Sequence, residues 1–191
     1  MGLVDTYIVY RFVRLLTTPW DETDAFKKGV IDANGKLLID TDKMTSDQAA
    51  AYTLFDRLVF NIKRLIEKIP GGKSKIGTYA AALYLFKEQM GDEEGKIVLE
   101  RSFMTYLKEN NALDSDYLAE QFKPEETLPQ GSYQVLNTMM DVHGNIVHKG
   151  TTVIAHSNQK PTAKVLGVDV YTLKTTNGKI VVVSHEDISE I

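Results

Sequence analysis

An α+β fold is predicted by three observations. Apolar residues recur every three to four positions through residues 1–122, and the period drops to two after Gly131. Between them, residues 123–130 hold Pro124, Pro129 and Glu125-Glu126, a polar stretch that reads as a linker. The expected order is a helical domain over 1–122 carrying a small β-hairpin, the linker 123–130, and a small all-β barrel over 131–191.

The first helix is expected over 3–16, where Val4, Ile8, Phe12, Leu15 and Leu16 make one apolar stripe and Arg11 and Arg14 sit off it. Thr18 reads as an N-cap with Pro19 at the first helical position and Asp21 three residues after the cap. The short helix that follows carries Trp20, Ala25 and Phe26 and stops at Gly29. Residues 30–38 read as a hairpin, because Asn34-Gly35 supplies the positive φ of a tight turn. Thr45 with Gln48 forms a capping box that opens one long helix to about residue 68, with a wide stripe from Leu54 to Ile69. Further helices are expected over 74–90, where Ala80, Ala81 and Ala82 permit close approach, over 96–109, ending at Asn110-Asn111, and over 115–122.

In the last third, residues 133–136, 151–155 and 164–173 read as strands, the last running across Gly167. A turn falls over 141–146. Asn177-Gly178 leads into a strand over 179–183, and Glu186-Asp187-Ile188 makes a short turn and an edge strand. Five short strands in so few residues favour closure, which removes exposed edges. Strand lengths point by analogy to a Src-homology-3-like barrel.

Composition is that of a globular protein, 43% hydrophobic and 25% charged. The net charge of −4 argues against a general nucleic-acid binder. With no cysteine there are no disulfides, thiolate metal sites or cysteine nucleophiles. No apolar run approaches the roughly 20 residues of a membrane span. Asp5, Arg11 and Arg14 interrupt the opening segment, so it does not read as a signal peptide. A soluble protein is expected.

Gly72-Lys73-Ser74 invites comparison with a phosphate-binding loop, but the position that loop needs as glycine is Glu67, and a helix rather than a strand precedes. A loose anion site at that helix start is the better reading. Lys63, Arg64, Lys68, Lys73 and Lys75 cluster around the same turn. If they share a face they suit nucleic acid or an acidic protein surface; otherwise they are a solvated helix end. His143, His148, His156 and His185 lack a matched carboxylate or a helical ligand pair, so no metal is expected. Asp92-Glu93-Glu94, Asp114 with Asp116, and Glu186-Asp187 fall at turns or helix starts and read as caps. Ser74, Ser102, Ser132 and Ser184 lack a nucleophile-elbow context. No catalytic residue and no cofactor are expected.

The block Asp5-Thr6-Tyr7-Ile8-Val9-Tyr10-Arg11-Phe12-Val13-Arg14-Leu15-Leu16-Thr17-Thr18-Pro19-Trp20 resembles the N-terminus of small, largely uncharacterised proteins of marine tailed bacteriophages. So do Ala25-Phe26-Lys27-Lys28-Gly29-Val30-Ile31-Asp32, Asn61-Ile62-Lys63-Arg64-Leu65, Gly71-Gly72-Lys73-Ser74 and Tyr79-Ala80-Ala81-Ala82. The resemblance covers roughly the first ninety residues. It implies a phage setting, in the virion or the host cytoplasm, and carries no functional residues with it. The expectation is a non-enzymatic structural or assembly component with Arg11, Arg14 and Trp20 as exposed anchors, a core position being the other reading of Trp20. Its partners would be other phage structural proteins and further copies of itself. The alternative is a nucleic-acid- or host-protein-binding factor using the basic turn around residues 63–75.

Overall fold

The computed structural model describes residues 3–67, 76–112 and 125–191. Helices occupy the N-terminal half: α1 (Leu3–Thr17), α2 (Asp24–Lys27), α3 (Ser46–Ala50), α4 (Leu54–Glu67), α5 (Ile76–Lys87) and α6 (Glu93–Glu109). The C-terminal half is an antiparallel sheet. Its strands are β1 (Gly131–Val135), β4 (Thr152–Ala155), β5 (Ala163–Val165), β6 (Val168–Thr175), β7 (Ile180–Val183) and β8 (Ile188–Glu190). A separate ribbon pairs β2 (Met139–Met140) with β3 (Ile146–Val147). The expected helix over 115–122 lies outside the described residues.

Many sequence signals act as expected. Thr45 and Gln48 form a reciprocal capping box at α3. Asp92 caps α6 by accepting from the N–H groups of Glu94 and Gly95, and Asn111 ends that helix at φ +51°. At the Asn34-Gly35 turn, Asp32 accepts from the N–H groups of Asn34 and Lys36, and a single bridge joins Ile31 to Leu37. Pro19, however, is not inside a helix. It precedes a 3-10 turn, Trp20–Glu22, and α2 starts afresh with Thr23 accepting from the Phe26 N–H.

The single helix expected over 46–68 is two. Tyr52 turns into the core, and Thr53 and Asp56 restart the chain: Asp56 accepts from the Thr53 N–H at 3.0 Å and from its hydroxyl at 2.6 Å. Apolar periodicity runs on through such a break and does not reveal it. The strand expected over 164–173 is likewise two, because Leu166 (φ +52°) and Gly167 (φ +81°) make a two-residue hairpin turn between β5 and β6. Leucine rarely adopts that backbone. Here its side chain is 3% exposed in the main core, and its N–H donates to the Glu100 carboxylate.

The closed barrel expected from the strand count is not found. The strand order is β5-β6-β4-β1-β8 with β7 also on β6, so β7 and β8 do not pair and the sheet stays open. The chain leaves β7 through a 3-10 turn, His185–Asp187, and only then reaches β1 as β8. A bridge from Asp141 to Val181 sets the β2–β3 ribbon against β7.

Part of the sheet joins the helical core, while a second cluster around Val135, Val153 and Tyr171 belongs to the sheet itself. Phe12, Ile62, Phe86, Leu99 and Phe103 pack in the same cluster as Val165, Leu166, Val168, Val170 and Val182. The small side chains of Ala80, Ala81 and Ala82 let α5 seat closely against α4 on one side and against β6 and β7 on the other. Of the expected linker, the described residues 125–130 lie on the sheet. The Glu126 N–H donates to Asp169, and Leu128, 1% exposed, exchanges both backbone hydrogen bonds with Gln159.

Candidate partner-binding face

The inner face of α1 is fixed by its aromatic neighbours. Phe12 is fully buried, with ring centroids 4.9 Å from Phe86 and 5.7 Å from Phe103. That packing sets what the outer face presents. Tyr7 and Tyr10 are 62% and 61% exposed, and Arg14 one turn on is also exposed. Spacings of three and four place the three on one stripe. Tyrosine and arginine are the residue types, with tryptophan, that carry most binding energy at protein interfaces. A tyrosine also gives large contact area while freezing only two torsions. Sequence reading named Arg14 and missed both tyrosines, although they fall opposite the apolar stripe on the same helical wheel.

Arg11 sits between the two faces. Its guanidinium donates to Asp56 at 2.8 Å and lies 4.3 Å above the Phe55 ring, so its first role is to join α1 to the start of α4. Beside it opens a pocket of about 360 Å³ between α1, α2 and the end of α3. Leu15, Ala25 and Phe60 contribute apolar walls, while Arg11, Arg14, Glu22 and Asp24 mix charges of both signs around it. An aromatic stripe beside a mixed-charge pocket suits another protein surface better than a polyanion.

Trp20, expected as an exposed anchor, is a core residue at 7% exposure. It packs against Phe60 with centroids 5.1 Å apart, and its indole N–H donates to Glu67. Two members of the basic turn are drawn into the same cluster. Lys63 is 5% exposed, donates to the Thr18 carbonyl and sits 4.6 Å above the Trp20 ring. Burial pulls the Lys63 ammonium below its ordinary range, and Glu67 opposes that shift. Arg64 donates to the Gly35 carbonyl at 2.7 Å. Gly35 is required there: its φ is +72°, and a Cβ would fall 2.7 Å from the Trp20 ring. Lys63 and Arg64 therefore do not form one exposed basic face. Lys68, Lys73 and Lys75, and with them the Gly72-Lys73-Ser74 turn, lie outside the described residues.

His143, His148 and His156 are exposed and do not converge. Among the described residues no group of three or more His, Asp and Glu side chains is placed to hold a metal. No described helix is long and apolar enough to cross a membrane. His185 packs edge-on against Tyr171, whose hydroxyl donates to the Glu126 carbonyl at 2.6 Å and meets His185 Nε2 at 2.8 Å. The phenol has one proton and gives it to the carbonyl, so His185 carries its hydrogen on Nε2.

Burial, followed by the charges of Asp169 and Glu126, pushes the Tyr171 phenol far above its ordinary value of 10.0. Above that pH the unfolded chain releases this proton and the folded chain keeps it. Stability should therefore be intact below pH 10 and fall above it, by at most about 1.4 kcal/mol per pH unit. Urea melts on both sides of pH 10 measure this slope. Tyr171→Phe should flatten it, and an unchanged slope in that variant would remove Tyr171 as its source.

No family model, curated protein or solved structure matches the chain.

Proposed function

We propose that the chain is a non-enzymatic structural or assembly component of a tailed bacteriophage, acting through protein–protein contacts centred on α1. The exposed stripe of Tyr7, Tyr10 and Arg14 beside the α1–α2 pocket carries the reading. The phage setting rests on the resemblance of the N-terminal blocks. Four residues singled out in the sequence are taken up by the fold: Trp20 and Lys63 by the small core, Ser184 and Asp187 by a cap. The order β8-β1-β4-β6-β7, with a 3-10 turn before the last strand, supports a Src-homology-3-like arrangement for this open sheet, by analogy alone.

A photo-reactive side chain placed at position 10 tests the contact inside infected cells. It should give one dominant adduct with a particle protein, whereas the same group at Ile97, 57% exposed on α6, should not. Equal adduct patterns at both positions, or none at position 10, would reject α1 as the contact face.

A further inference from the structure

A second concavity, about 660 Å³, lies between the Asn34-Gly35 turn, α4 and the β2–β3 ribbon, on a different surface from the α1 face. That volume is within the range of ligand-binding clefts, roughly 300–1,000 Å³. Its lining carries three cations, Lys36, Arg64 and Lys149, and no carboxylate. None of the three has an ion-pair partner among the described residues, since Arg64 spends one N–H on a neutral carbonyl. Leu37, Leu65, Met139, Met140 and Ile146 supply apolar contact.

The decisive residue is Asn61. It projects from the middle of α4 and is 9% exposed, and its carboxamide has no hydrogen-bond partner among the described residues. Its polar atoms open onto the groove, where water reaches them and an occupant would displace that water. A carboxamide offers one acceptor and an N–H donor pair, the complement of a backbone C=O and N–H. The strand edge agrees. Residues 137–140 border the groove, and among the described residues β2 itself pairs with β3 alone, while Leu136 before it bonds Asp187 and Asp141 and Val142 after it bond β7. An extended chain is the ligand that uses such an edge. Stacked bases fit less well, because the one aromatic ring in the lining, Tyr52, is 5% exposed and cannot act as an open platform.

We propose that this groove binds an extended peptide segment of a partner protein, with carboxylates between apolar side chains. Asn61 pairs with its main chain, and Lys36, Arg64 and Lys149 hold its acidic groups. The adaptable side chains of Met139 and Met140 seat its apolar residues. The inference is independent of the α1 reading, because neither surface shares a residue with the other.

The test is selection of a displayed library of random heptapeptides on the full chain, followed by titration of the best labelled peptide. An acidic–apolar consensus is expected. Lys36→Glu with Lys149→Glu, both exposed sites, should weaken that peptide by about tenfold or more. Asn61→Leu separates binding from folding: it should abolish capture while leaving the melting temperature nearly unchanged, because the carboxamide holds no other group among the described residues. Four results would overturn the proposal: no enriched consensus, a basic consensus, peptide binding indifferent to these variants, or an oligonucleotide that competes at the groove. Self-association abolished by Lys36→Glu with Lys149→Glu would also overturn it, assigning the groove to a second copy of the chain.

Discussion

Replacing Trp20 with alanine is expected to cost the fold about 4 kcal/mol, the range of a large aromatic removed from a core. The loss exceeds the ring's own burial. Phe60 loses its edge-on partner, Lys63 loses the π face beneath its ammonium, and Glu67 loses the indole donor. The side chains that fix the Asn34-Gly35 turn go with them, since Gly35 is seated on that ring. For a chain of this size the melting temperature should fall by about 10 °C. Trp20→Phe keeps an aromatic ring and gives up the N–H donor, so it should lose no more than about half as much. Trp20 is also the sole tryptophan. Its emission should be blue-shifted and poorly quenched by acrylamide in the native protein. Red-shifted, readily quenched emission together with a neutral Trp20→Ala would restore the exposed-anchor reading.

The second large effect lies where α5 meets the sheet. Asp187 is fully buried and accepts from the Ser184 N–H at 2.8 Å, the Ser184 hydroxyl at 2.9 Å and the Thr78 hydroxyl at 2.9 Å. One residue away, the Glu186 carboxylate accepts from the Gly77 N–H at 2.8 Å, an anion set against the first turn of a helix. Asp187→Ala orphans buried donors on both elements and should cost about 3 kcal/mol. Gly77→Ala is the sharper test because its sign is reversed. Alanine for glycine in a helix ordinarily stabilises by about 1 kcal/mol. Here the new Cβ would sit 2.4 Å from Ser184 Oγ and 2.5 Å from Glu186 Oε2. The helix must lift from the turn, and a net loss of about 2 kcal/mol is expected. Gly91→Ala, with nothing within 4 Å of its Cβ, is the control. A stabilising Gly77→Ala in urea melts would mean that α5 and the turn do not approach so closely.

Much of the backbone was legible because its signals are local. The stripe of Ile8, Phe12, Leu15 and Leu16, the Thr45 capping box and the Asn34-Gly35 and Asn177-Gly178 turns each specify their geometry within a few residues. Where sequence reading failed, a distant partner decides. Leu166 adopts a glycine-like backbone because the helical core holds its side chain and Glu100 its N–H. Lys63 looks like a solvent cation until Trp20, forty-three positions earlier, covers α4 from its second side; its methylenes then line a core and its ammonium meets a ring and a carbonyl. The open sheet was hidden as well, because strand count does not reveal whether the first and last edges meet. The groove was invisible for the same reason: Lys36, Asn61, Met139 and Lys149 have no sequence pattern in common.

Exposed tyrosines and an arginine on α1, rather than a reactive pocket, are held to do the work of this protein. Quantitative mass spectrometry of purified particles, with the native chain and with Tyr7→Ala, Tyr10→Ala and Arg14→Ala combined, addresses this directly. Surface changes of this kind should shift each site's stability by no more than about 0.5 kcal/mol. The native chain should appear at a fixed copy number, and the folded triple variant should be missing. Native-level incorporation of the variant, or absence of the native chain from particles and assembly intermediates, would contradict the account.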